Sequence, residues 1–90
     1  MGKVDSFEVS GIELFFIPGD HWPPHFHARR PDEWEIRVLF MTCTEKTLDF
    51  QLKWPRNGEG PSGSDQREIR ALALAHRAAL LEQWERMRPK

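Results

Sequence analysis

The sequence predicts an α+β fold: a mostly antiparallel sheet of four to five strands with one long C-terminal helix packed on one face. Apolar and charged residues alternate along two late segments, which is typical of strands with one buried and one solvated face. Apolar residues then recur at helical spacing through the C-terminal segment, as expected of an amphipathic helix. Together these patterns indicate a helix that covers the apolar face of the sheet.

The 90 residues fit a single domain, 1–90, because a chain of this length buries one modest core. The sheet is predicted over about 4–54 and the helix over about 65–88. Between them, 55–64 holds three glycines and two prolines, which indicates a loop. A helix of that length is about 36 Å long at the standard rise, enough to cross the whole sheet.

The first half of the sheet is predicted from its turn residues. Two strands, Phe7–Val9 and Ile12–Ile17, flank Ser10-Gly11, where glycine permits the positive φ of a tight hairpin turn. A third strand, His25–Arg29, follows the proline pair at 23 and 24, which stiffens the connection.

The second half of the sheet and the helix are predicted from periodicity. Trp34–Phe40 and Leu48–Trp54 alternate apolar with polar residues, so each strand turns one face toward the core. Ser64 or Asp65 can cap the helix, and Glu68 stands at capping-box spacing from Asp65. The apolar stripe of the helix contains Ile69, Leu72, Ala73, His76, Leu80, Trp84 and Met87.

Composition excludes several classes of function. The net charge is −1, so the chain alone is not expected to bind nucleic acid. A single cysteine, Cys43, excludes an internal disulfide and fits a reducing compartment. The N-terminal residues show no apolar signal region, and no apolar run approaches the length of a membrane span. We therefore predict a cytoplasmic protein without membrane contact.

The most unusual feature is a run of three histidines, His21, His25 and His27, within seven residues. His25 and His27 are two apart, so on a strand both point to one face while Phe26 and Ala28 point into the core. The imidazoles are therefore predicted on the solvent side of the sheet. Two such rings can share a divalent metal ion, with His21 as a third ligand.

Two chemical interpretations of this segment follow, besides ordinary surface histidines. In the first, the bound metal ion is completed by Glu13 or Glu35 from polar strand positions. In the second, the strand imidazoles act as general acid and base, and Arg29 or Arg30 stabilises the charge of a phosphodiester transition state. Beyond the divalent metal ion, no cofactor motif is present in the sequence.

A third interpretation is recognition of a partner. The proline pair at 23 and 24 stiffens the backbone between Trp22 and the arginines at 29 and 30. Tryptophan and arginine are enriched at the centres of interfaces, and a stiff segment loses less entropy on binding. The predicted binding surface comprises His21, Trp22, His25, His27, Arg29 and Arg30. A free sheet edge makes homodimerisation a further expectation, because unpaired strand groups seek partners.

The chain resembles a family of small bacterial domains of unknown function. That family has a Pro-Pro-His-x-His signature and a C-terminal helix with a late tryptophan, matched here by Pro23, Pro24, His25, His27 and Trp84. The resemblance covers about Val4 to Arg86. It implies a partner protein in a toxin–antitoxin-like gene pair, and it assigns no activity.

The sequence thus favours a small binding or regulatory module that acts through a partner protein over an enzyme. The alternative is a histidine-based hydrolase, with or without a metal ion, such as a phosphodiesterase.

Overall fold

A computed structural model describes residues 2–55 and 58–87 and has an α+β fold with an antiparallel sheet, as predicted. The sheet has five strands in sequence order, each antiparallel to its neighbours. The strands are β1 (Gly2–Lys3), β2 (Glu13–Phe16), β3 (Phe26–Arg30), β4 (Trp34–Val38) and β5 (Phe50–Trp54). The helices are α1 (Gly63–Ala75) and α2 (Arg77–Met87).

The prediction of one long helix over 65–88 is wrong, because α1 and α2 are separate short helices that meet at His76. His76 ends α1 with φ −112° and ψ 19°, outside the helical region. Its ring stacks on Phe7, with 5.2 Å between the ring centroids. The last residue of the predicted helix, Arg88, lies outside the described residues.

Arg77 holds the second helix in its direction. Its guanidinium donates hydrogen bonds to the backbone carbonyls of Phe40 and Cys43, in the turn that follows β4. The apolar stripe keeps its spacing across this position without a glycine or a proline, so the periodicity contains no sign of the break.

The first helix begins earlier than predicted. Ser62 is the N-cap, and its hydroxyl accepts a hydrogen bond from the backbone N–H of Asp65, 3.1 Å away. The Asp65 carboxylate is therefore not the cap; it accepts hydrogen bonds from the Arg30 guanidinium at the end of β3. The predicted loop 55–64 ends at the start of α1, and its residues 56 and 57 lie outside the described residues.

The predicted hairpin is present only in part. Gly11 has φ 78° as expected, but the predicted strand Phe7–Val9 is reduced to a single bridge between Val9 and Ile12. The N-terminal pair Gly2–Lys3 instead takes the edge position beside β2. The Gln83 side chain of α2 ties this edge down, because it donates to the Lys3 carbonyl and accepts from the Asp5 backbone N–H.

The core lies between one face of the sheet and the two helices. Fully buried residues of β3 and β4, among them Phe26, Ala28 and Ile36, share one apolar cluster with residues of both helices. The helical members of that cluster are Ile69, Ala73, Leu80 and Trp84. None of the helices in the described part of the chain has the length and apolarity needed to cross a membrane. The opposite face of the sheet carries the polar residues of the strands.

Candidate functional site

Two neighbouring rows of side chains cross the face of the sheet that the helices do not cover. The strand register places Phe15, His27, Arg37 and Gln51 side by side, and we call this the histidine row. The adjacent row contains Glu13, Arg29, Glu35 and Lys53. We call it the ion-pair row, since Arg29 contacts Glu13 at 2.6 Å and Lys53 contacts Glu35 at 3.2 Å.

The imidazoles are buried, which corrects the prediction that they lie on the solvent side. His25 is 4% exposed and His27 1% exposed. His27 is on the expected face, but Phe15 stacks on its ring and Asp20, from the segment before β3, contacts its edge. The ring of His25 lies against Trp84 of α2, with 5.2 Å between centroids. The alternation of side chains along the strand determined the face of His27. The burial of His27 depends on Phe15 and Asp20, and the burial of His25 depends on Trp84 of α2.

Three side chains converge at this buried position. Asp20 Oδ2 lies 3.0 Å from His25 Nε2 and 2.8 Å from His27 Nε2. Each of the three residues offers one ligand atom, and these atoms lie within 4.8 Å of one another. One carboxylate and two imidazoles therefore face a common point.

The second nitrogen of His25 determines which atom the ring presents to that point. His25 Nδ1 lies 2.8 Å from the carbonyl oxygen of Pro23, which can only accept a hydrogen bond. Nδ1 therefore carries a proton, and the neutral ring presents a lone pair on Nε2 toward Asp20. This contact between two acceptors requires either a second proton on the ring or a cation between the two atoms.

The electrostatics of His27 favour a neutral ring. Burial lowers the pKa of His27, and the hydrogen bond and charge of Asp20 oppose this shift only in part. Burial raises the pKa of Asp20, but the hydrogen bond from His27 and the charges of both imidazoles outweigh it and leave the pKa below its usual value. A carboxylate and a neutral imidazole are the protonation states that bind metal ions.

The outer nitrogen of His27 faces a second carboxylate. His27 Nδ1 is buried and has no hydrogen-bond partner among the described residues, and Glu35 Oε2 lies 3.9 Å from it. Metal binding requires the tautomer with the proton on Nδ1, which points that proton toward Glu35 and releases the Nε2 lone pair from its hydrogen bond with Asp20. Metal-binding histidines usually have this arrangement, in which the outer N–H faces a carboxylate or a backbone carbonyl. His25 matches the carbonyl case at 2.8 Å, whereas Glu35 lies 3.9 Å from His27 Nδ1, beyond hydrogen-bond distance.

The spacing of the ligand atoms fits a small cation after minor movement. Two ligands bound to one tetrahedral zinc ion lie about 3.4 Å apart. The observed contacts of 2.8 and 3.0 Å are about half an ångström shorter than this separation, and the two Nε2 atoms lie within 4.8 Å of each other. Phe15 and Trp84 supply the apolar shell that lowers the local dielectric around such sites.

The structure brings together only some of the predicted site residues. His25 and His27 belong to the cluster, while His21 is exposed and is not part of it. Trp22 is 65% exposed, Arg29 belongs to the ion-pair row and Arg30 contacts Asp65 of α1. The site thus divides into a buried pair of histidines and a separate exposed segment.

Sequence reasoning missed Asp20 as a site residue. Asp20 follows Gly19, which has φ 81°, and was interpreted only as the end of a strand. The available signal was a carboxylate beside a turn, five residues before His25 and seven residues before His27. A turn of that kind returns the side chain toward the following strand.

A small cleft opens beside the cluster. Its volume is about 160 Å³, and its walls include Asp20, His21, His25, Arg37 and Gln51. A larger cleft of about 590 Å³ lies between the N-terminal residues and the hairpin. The smaller cleft borders the cluster of Asp20, His25 and His27, the one group among the described residues that could hold a metal ion.

The fold and the site define a small α+β domain with a buried carboxylate–imidazole cluster that opens to a polar cleft. A family model described as "Domain of unknown function (DUF4160)" matches residues 11–85, and the chain belongs to that family. No curated protein and no solved structure matches the chain significantly.

Proposed function

We propose that the chain binds one divalent transition-metal ion through Asp20, His25 and His27 and acts as a metal-dependent hydrolase. The convergence of the carboxylate oxygen and the two Nε2 atoms carries the proposal. Three protein ligands leave a coordination position open, which is typical of catalytic rather than structural zinc sites. An ion bound in this way lowers the pKa of its water and supplies a nucleophile at neutral pH.

The outer contacts support the metal site independently. Pro23 O accepts from His25 Nδ1, and a Glu35 oxygen lies 3.9 Å from His27 Nδ1, so each ring has an oxygen on the side away from the cluster. In a simple structural hydrogen-bond cluster, His27 Nδ1 would gain nothing from being buried without a partner. The cleft beside the cluster gives a substrate access to the open coordination position.

The test is a zinc titration of the untagged protein after chelator dialysis, in competition with a chromophoric chelator. We expect one ion per chain and an affinity that falls at least about 100-fold in Asp20→Asn and in His27→Ala. His21→Ala is the matched control, because His21 borders the same cleft outside the cluster. Thermal unfolding of each variant verifies its fold.

The metal-loaded protein is then assayed on activated esters of carboxylic and phosphoric acids. We expect turnover that is lost on chelation and restored by the metal ion. Failure to bind zinc, manganese, nickel or ferrous iron stoichiometrically contradicts the metal site. Turnover that is unchanged in His27→Ala contradicts its role in hydrolysis.

A second proposal is the binding of a partner protein, which the family resemblance implies for a toxin–antitoxin-like gene pair. The supporting observation is Trp22, which is 65% exposed beside two prolines. Co-expression with the product of the adjacent gene should yield a complex in size-exclusion chromatography, and Trp22→Ser should weaken it. If the wild-type chain elutes alone, the partner proposal fails. Homodimerisation through a free sheet edge stays a prediction.

A further inference from the structure

Arg37 occupies an unusual electrostatic position in the histidine row. It is the cross-strand neighbour of His27 on one side and of Gln51 on the other. Its Nη1 donates to Gln51 Oε1 at 3.1 Å, while its Nε is buried and has no hydrogen-bond partner in the described part of the chain. No carboxylate among residues 2–55 and 58–87 lies within 4.0 Å of this guanidinium. The positive charge of Arg37 is therefore not matched within the described structure.

The neighbouring arginine of the same sheet face shows the contrast. Arg29 lies one row away, with its Nε 2.6 Å from Glu13 and its Nη1 3.9 Å from Glu35. A guanidinium is the side chain best suited to bidentate binding of a phosphate or carboxylate, because its N–H groups form a planar fork. In Arg29 the fork is occupied by a carboxylate of the chain, whereas in Arg37 no carboxylate of the described residues occupies the fork, and Nη2 is neither buried nor hydrogen-bonded.

Arg37 lines the same cleft as Asp20 and His25, together with Gln51. The Gln51 amide oxygen accepts from Arg37, so its NH₂ group keeps its donors for another acceptor. A volume of about 160 Å³ holds roughly five waters, enough for a small anion beside the cluster. The cleft thus places hydrogen-bond donors on one wall and the proposed metal ligands on the other.

We infer that this cleft binds the phosphoryl group of a phosphate ester, with Arg37 as the anion-binding residue and Gln51 as a second donor. The inference deepens the proposed hydrolase by naming its substrate class. The phosphoryl oxygens accept from the Nη2–H groups of Arg37 and from the Gln51 NH₂, so that the group lies beside Asp20 and His25. In hydrolysis a water oxygen bonds to phosphorus and gives up one proton to solvent, the ester P–O bond breaks, and the leaving alkoxide takes up one proton from solvent to become the alcohol.

The test measures binding of inorganic phosphate by ³¹P NMR and calorimetry, with metal-free and zinc-loaded protein. We expect the wild type to bind phosphate and Arg37→Gln to lose about tenfold or more in affinity, the effect of a charge-assisted hydrogen bond. Arg67→Gln is the matched control, since Arg67 is an exposed arginine on α1, which packs on the other face of the sheet. Its phosphate affinity should equal that of the wild type.

A second measurement needs no variant. In ¹H–¹⁵N spectra of the wild type, phosphate should shift the Arg37 Nε–H and the Gln51 side-chain amide more than the Arg67 signals. Absence of both phosphate binding and these shifts overturns the inference, as does equal affinity in Arg37→Gln. Acetate binding as tight as phosphate overturns the phosphoryl assignment in favour of a carboxylate.

The two proposals fail in different ways. If the protein binds phosphate through Arg37 but no metal ion, the substrate class stands and the metal-dependent mechanism falls. If it binds zinc with equal affinity in wild type and Arg37→Gln but shows no affinity for phosphate, the metal site stands and this inference falls.

Discussion

The ion-pair row and the histidine row lie side by side on one sheet face, yet they differ in how many of their polar side-chain atoms have a partner within the chain. In the ion-pair row, Arg29 contacts Glu13 and Lys53 contacts Glu35. In the histidine row, the buried Nδ1 of His27 and Nε of Arg37 have no hydrogen-bond partner among the described residues. Each such buried atom costs about 1–3 kcal/mol of stability.

The difference teaches where to look for function on this face. A surface row whose charges match one another contributes solubility and modest stability, and it has no need of a ligand. Buried donors and acceptors without partners, such as His27 Nδ1 and Arg37 Nε, are costly unless something outside the chain satisfies them. The neighbouring rows share strands and solvent access, so local sequence alone does not account for the contrast.

The largest expected effect is stabilisation of the histidine row by zinc. At a free concentration 100 times Kd, zinc adds about 2.7 kcal/mol to the free energy of unfolding. For a domain of this size that raises Tm by about 10–20 °C, measured by differential scanning fluorimetry with and without chelator. Glu13→Gln in the ion-pair row should show the same rise, and His27→Ala none. A zinc-induced shift of equal size in His27→Ala would contradict the proposed ligand set.

The second-largest expected effect is that of Glu35 on zinc affinity. Glu35 belongs to the ion-pair row and also faces His27 of the histidine row. Its Oε2 lies 3.2 Å from Lys53 Nζ and 3.9 Å from His27 Nδ1. Glu35→Gln removes the carboxylate that orients His27, so zinc affinity should fall about tenfold, the lower end of the effect of such outer partners. Chelator competition measures the change, with Glu13→Gln as the control. Equal zinc affinity in the two variants would show that Glu35 serves the ion-pair row alone.

The smallest expected effect lies within the ion-pair row itself. A double-mutant cycle on Glu13 and Arg29, measured by urea unfolding, should give a coupling energy of about 0.5 kcal/mol, because both side chains are partly exposed. The coupling should shrink in 1 M salt, where the screening length is about 3 Å. Zinc affinity should stay unchanged throughout the cycle. Coupling between Arg29 and zinc binding would mean that the rows are not independent.

Alternation predicted much of the sheet. It identified the core-facing positions Phe26 and Ala28, both fully buried, and it placed His27 on the opposite face. The burial of His27 was not predictable by the same route, because it depends on Phe15 of a neighbouring strand and on Asp20. Period-two patterns report which face a residue occupies and carry no information on what covers that face.

The helical region shows the same limit. Its apolar stripe correctly predicted helical structure and the burial of Ile69, Ala73, Leu80 and Trp84. The break at His76 depends on ring stacking with Phe7 and on the bonds from Arg77 to the turn after β4. Those partners lie more than thirty residues away in the chain. The spacing of apolar residues within the helical segment carries no information on contacts with such distant residues.

By itself, the sequence determined the α+β class, the antiparallel sheet and the position of His27 on the polar face of its strand, since each depends on periodicity over neighbouring residues. Only the tertiary structure decided that Asp20 joins His25 and His27, and that Arg37 has no acidic partner among the described residues. Both outcomes depend on distances between separate segments. Such distances follow from packing of the whole chain and not from the residue pattern of any one segment.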